Sequence, residues 1–75
     1  MSEMAVLGRE GDTKVIWSKD NEDEVANAQR TFDDLVGTKK YAAFAVKANG
    51  DQGTQVRKFD PTAEKMILVP PMVGG

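Results

Sequence analysis

Met66-Ile67-Leu68-Val69-Pro70-Pro71-Met72-Val73-Gly74-Gly75 is the stretch that decides how the rest of this 75-residue chain is read. Four consecutive apolar residues, with no polar alternation, describe a strand apolar on both faces, so 66–69 belongs inside a sheet. Pro70 and Pro71 carry no amide hydrogen to extend a ladder and hold φ at about −65°, so the strand ends there and continues as an extended arm. Gly74 and Gly75 lack Cβ and can thread a channel too narrow for any other residue. At average glycine usage a double-glycine ending arises by chance in roughly 0.5% of chains. The expectation is that function sits at the end of the backbone, on the carboxylate of Gly75.

Working back from that strand, Asp60-Pro61-Thr62-Ala63-Glu64-Lys65 has the form of a capped single turn with proline at its first position. Thr54 to Phe59 alternates polar and apolar residues as an exposed strand does. Before it, Asn49-Gly50-Asp51-Gln52-Gly53 reads as a turn and Tyr41 to Lys47 as a strand, together a hairpin. Val25, Ala28, Phe32, Leu35 and Val36 recur at intervals of 3, 4, 3 and 1, the stripe of one amphipathic helix. Asp20 or Asn21 caps that helix, Asn21 with Glu24 has capping-box spacing, and Gly37 stands where a left-handed residue closes it. Met4-Ala5-Val6-Leu7 and Thr13 to Trp17, separated by a cluster of turn formers, make an N-terminal hairpin whose buried face alternation leaves open.

The sum is an α+β domain: a mixed sheet of four to five strands with one helix packed on one face, residues 1–69, followed by an extended tail, residues 70–75. A chain this short buries only about 60% of its unfolded surface and has room for a single core. It contains neither cysteine nor histidine, which removes thiol nucleophiles, Cys/His metal sites and the usual near-neutral general base. Ten basic and twelve acidic residues leave a net charge of −2, which speaks against nucleic-acid or anionic-membrane binding. Met1-Ser2-Glu3-Met4 has no apolar leader character, so the reading is a cytoplasmic, soluble monomer.

The order strand-strand-helix-strand-strand-strand, with the close Phe59-Asp60-Pro61 and then Met66 to Gly75, resembles the ubiquitin-like β-grasp proteins. The tail is especially similar to those of the molybdopterin-synthase small subunit and other sulfur carriers. The resemblance implies a terminal glycine carboxylate adenylated with ATP by a ubiquitin-activating-type enzyme. The activated end then becomes a thiocarboxylate that hands sulfur to a synthase, or a thioester and an isopeptide bond on an acceptor protein, as in ubiquitin and the small archaeal modifiers. Carried onto this chain, Gly75 is the activated residue, Gly74 threads the channel, and Pro70, Pro71, Met72 and Val73 form the stalk a partner grips. The loop 60–65 lacks the glycine that sulfur carriers often have there, and the helix opens on an unusually acidic run, so carrier and modifier both stay open.

Nothing in the sequence supplies chemistry of its own. No Walker-type loop is present to bind ATP, so no cofactor is expected and the catalysis belongs to a partner. Glu22-Asp23-Glu24 and Asp33-Asp34 read as solvated helix surface, because adjacent helical residues do not converge on a cation. Gly8-Arg9-Glu10-Gly11 reads as a hairpin loop, and Trp17, Tyr41 and Phe44 as core or sheet packing. If the helix covers one sheet face, either Ile67 and Val69 or Met66 and Leu68 face solvent; the expected docking pair is Val69 with Ile67. The alternative to an activated carrier is a β-grasp interaction module, or a small subunit of an enzyme complex, whose tail only packs against a partner.

Overall fold

The computed structural model describes residues 1–8, 11–46 and 53–72. Five strands form a single sheet: β1 (Ser2–Val6), β2 (Thr13–Trp17), β3 (Ala42–Val46), β4 (Thr54–Val56) and β5 (Lys65–Val69). Their order across the sheet is β2-β1-β5-β3-β4. The run apolar on both faces does take the centre: β5 pairs parallel with β1, Met4 beside Met66, and antiparallel with β3, Ala43 beside Leu68. The fold is therefore α+β, a mixed five-stranded sheet with one helix. The turn at Asn49-Gly50 and the last three positions, Val73, Gly74 and Gly75, lie outside the described residues.

The helix α1 (Glu22–Asp33) starts at Asn21, whose side-chain oxygen accepts from the amides of Asp23 and Glu24, both at 3.1 Å. The reciprocal arm of a capping box is diverted, since the Glu24 carboxylate accepts from the Ser18 amide at 2.8 Å and so ties the helix start to the chain leaving β2. Glu22, Asp23 and Glu24 lie on the positive end of the helix dipole. Ala28 and Phe32 are buried beneath it, against Met4, Trp17, Ala43, Met66 and Leu68.

The helix end departs from expectation. Gly37 does not adopt a left-handed conformation; Asp34–Thr38 widens into a π-helical turn, and Lys40 takes the positive φ, 64°. Leu35 and Val36, consecutive residues of this turn, both pack on the core. The amide of Tyr41 then donates to the Leu35 carbonyl at 2.8 Å, and the residue just before it must reverse the chain.

The open register of β2 is settled by burial. Trp17 is fully buried, and Val15 packs on the same core, while Ile16 is 54% exposed on the other face. The strand expected to run to Phe59 stops at Val56, because the chain bends at Arg57-Lys58 and turns Phe59 inward. Its ring packs between those of Trp17 and Phe32, with centroids 5.1 and 5.7 Å apart. Trp17 Nε1 donates to the Pro61 carbonyl at 3.0 Å, fixing the connection that feeds β5. In that connection the Asp60 carboxylate accepts from the Thr62 hydroxyl at 2.6 Å and the Thr62 amide at 2.9 Å, the capped turn read from the sequence. These two bonds stabilise the ionised form and hold Asp60 below the ordinary carboxylate value.

Candidate docking surface and tail

The strand registers place one continuous row across the face away from α1: Lys14, Ala5, Ile67, Phe44 and Gln55. Its centre is apolar and its two ends are polar. A second row, nearer the end of β5, sets Val69 beside Ala42, and a third runs Ile16, Glu3, Lys65, Val46. Ala5, Phe44, Ile67 and Val69 are half-buried by their sheet neighbours and stand outside the core cluster, whereas Met66 and Leu68 on the opposite face are wholly buried in it. Of the two pairs the sequence left open, Ile67 and Val69 are thus the ones on the uncovered face. A strand with one face in the core and one toward solvent normally alternates apolar with polar; β5 and β3 do not. An apolar centre rimmed by charge is what an association surface requires.

Sequence reasoning named Ile67 and Val69 but did not connect them to Ala5, Ile16 and Phe44, because pairing across strands is a tertiary fact. The nearest signal was the single large residue of Ala42-Ala43-Phe44-Ala45. The rim is weakly tied: Lys14 Nζ lies 3.7 Å from the Glu3 carboxylate, both partly exposed, a pair worth about 0–1 kcal/mol.

The tail leaves from the same end of the sheet. The Leu7 amide donates to the Leu68 carbonyl at 2.9 Å. Beyond Val69 the two prolines offer no donor and the ladder stops. Pro70 is half-buried, Pro71 is exposed, and Met72 is 97% exposed, a large apolar side chain in solvent.

Other expected features keep their structural role. Glu22, Asp23, Glu24, Asp33 and Asp34 are exposed along α1 and its end, and Asp34 binds Lys39 at 3.4 Å. Among the described residues no three carboxylates converge as a metal site, and no helix is long and apolar enough to cross a membrane. Compared with known proteins, the chain matches no family model, no curated protein and no solved structure.

Proposed function

We propose that this chain is a ubiquitin-like β-grasp protein whose Gly75 carboxylate is adenylated by a ubiquitin-activating-type partner enzyme and then used for protein conjugation, or for sulfur transfer as a thiocarboxylate. The observation that carries the reading is the course of β5. The central strand runs out of the sheet beside an uncovered apolar face and into Pro70-Pro71-Met72, the arm that precedes Val73-Gly74-Gly75. A strand order of β2-β1-β5-β3-β4 with one covering helix is compatible with the β-grasp outline.

The chemical logic is simple. A carboxylate is a poor acyl donor until it bears a leaving group such as AMP, and a chain with no Cys, no His and no phosphate-binding loop has to borrow the enzyme that attaches one. The work left for the folded body is to present the terminus and to be held while it reacts. Ile67, Phe44 and Val69 supply the grip, and glycine at 74 and 75 supplies the slender end.

The reading requires Gly75 to be the free terminus when it reacts. The test is incubation with ATP and an activating enzyme from the same host, followed by intact mass and by peptide mapping of acceptors. An adenylate, thioester or thiocarboxylate on Gly75 is expected, abolished by Gly75→Ala or by deletion of Gly74-Gly75. A deletion variant that retains full biological activity overturns the proposal. Sulfur at the terminus assigns a carrier; branched Gly-Gly peptides on other proteins assign a modifier.

A further inference from the structure

A groove of about 430 Å³ opens beside the π-helical turn along the β3–β4 pair, reaching Ala42 and Gln55 at the margin of the uncovered sheet face. Val36, Ala43 and Val56 form its apolar floor, Tyr41 its wall, and Lys40 and Arg57 bring two cations to it. We propose that this groove docks an acidic polypeptide segment of a partner protein, one apolar side chain seated on the floor and flanking carboxylates on Lys40 and Arg57.

Three observations converge on that occupant. First, the two cations are available: among the described residues neither Lys40 nor Arg57 has a carboxylate within ion-pair distance, while Lys39, next to Lys40, is held by Asp34. Second, Lys40 is kept at φ 64°, a backbone region that costs a residue with a Cβ about 1–2 kcal/mol, although Gly37 stands three positions earlier in the same turn. Strain held at a groove-lining residue marks a side chain wanted for its position.

Third, cations outnumber acids at one end. Lys39, Lys40, Arg57 and Lys58 gather at the end of the sheet where Val69 pairs with Ala42, with Asp33 and Asp34 the nearby acids and Asp34 bound to Lys39. The acids Asp20, Glu22, Asp23 and Glu24 follow Trp17, which pairs with Ser2 at the opposite end. A chain with net charge −2 thus presents a local positive end, suited to steering a negative protein surface. A bare phosphate or a nucleic-acid backbone would bring charge to Lys40 and Arg57 but no apolar side chain to Val36 and Val56. A partner seated in the groove also lies beside the exit of Pro70, and only this last point leans on the proposed activation of the tail.

The experiment is an NMR titration of the nitrogen-15-labelled full chain with the capped peptide Glu-Asp-Leu-Glu-Asp. Amide shifts are expected at Lys40, Tyr41, Val56 and Arg57. Arg57→Gln should weaken binding about threefold, the scale of one partly exposed ion pair. Raising salt from about 0.1 M to about 1 M shortens the Debye length from about 10 Å to about 3 Å and should abolish most of the effect. Lys40→Gly should weaken the peptide similarly while leaving Tm no lower than the wild type, since it releases backbone strain.

Several results overturn the assignment: shifts centred on Ile67 and Phe44, equal binding of a Lys-for-acid peptide, or a Lys40→Gly variant with lowered Tm and unchanged affinity. Tighter binding of tripolyphosphate or a short RNA than of the peptide also overturns it, by assigning the groove to phosphate. The titration is repeated on the chain lacking Gly74-Gly75, where unchanged peptide binding is expected. Failure of the full chain to be activated while it still binds the peptide refutes the tail chemistry alone, and activation of the full chain without peptide binding refutes the groove alone.

Discussion

Replacing Trp17 by phenylalanine tests the packing that positions β5. Trp17 is fully buried, its indole nitrogen donates to the Pro61 carbonyl at 3.0 Å, and its ring centroid lies 5.1 Å from that of Phe59. Phenylalanine keeps the aromatic contact but deletes the donor, leaving a part-buried carbonyl to find water at a cost of about 1 kcal/mol, the low end for an unsatisfied group. The smaller ring leaves unfilled volume in a close-packed core, adding about 1 kcal/mol. The total, about 2 kcal/mol, compares with about 4–11 kcal/mol for the whole domain at 0.05–0.15 kcal/mol per residue over 75 residues. A domain of this size should lose about 8–16 °C of Tm. The assay is urea and thermal unfolding followed by far-ultraviolet circular dichroism, with Ile16→Ala as comparator. Ile16, one residue away and 54% exposed, should cost less than about 0.5 kcal/mol. If Ile16→Ala is as damaging as Trp17→Phe, the register of β2 is wrong by one residue and the assignment of the uncovered face falls with it.

Two further outcomes bear on the ends of the helix and on the turn before β5. Asn21→Ala removes the acceptor for the Asp23 and Glu24 amides and should destabilise by about 1 kcal/mol in urea unfolding, whereas Asn21→Ser should recover most of the loss. Asp60 is held below its unfolded value by the Thr62 hydroxyl first and the Thr62 amide second. Its contribution is therefore present above the unfolded value of about 3.9 and lost as pH falls through the lower folded value. The stability gap between the wild type and Asp60→Asn, measured by unfolding at a series of pH values, should be constant near neutrality and close in acid; a gap that widens as pH falls contradicts the bonding described.

Much of the architecture was legible because it rests on local physics. The apolar run Met66–Val69 read as an inner strand, and β5 lies between β1 and β3, with Met66 and Leu68 buried and Ile67 and Val69 on the uncovered face. The helix start was legible to Asp20 or Asn21, and the structure uses Asn21, because capping is a matter of a few consecutive residues. The helix end was not, since the choice between closing at Gly37 and widening over Asp34–Thr38 depends on the core that Leu35 and Val36 meet. Phe59 was read into an exposed strand for the same reason: alternation describes a strand, and only the rings of Trp17 and Phe32 draw it inward.

For the candidate site the division follows range of interaction. The amino-acid order alone determined the end of the ladder at Pro70, the glycines at 74 and 75 and the absence of Cys and His, because each follows from what single residues contain or lack. Tertiary structure alone decided that Ile67, Ala5 and Phe44 share a row, that Val15 and Trp17 rather than Ile16 face the core, and that Lys40 and Arg57 line one groove. Those facts depend on cross-strand register and on burial competition among distant residues, neither of which is written in any local stretch of chain.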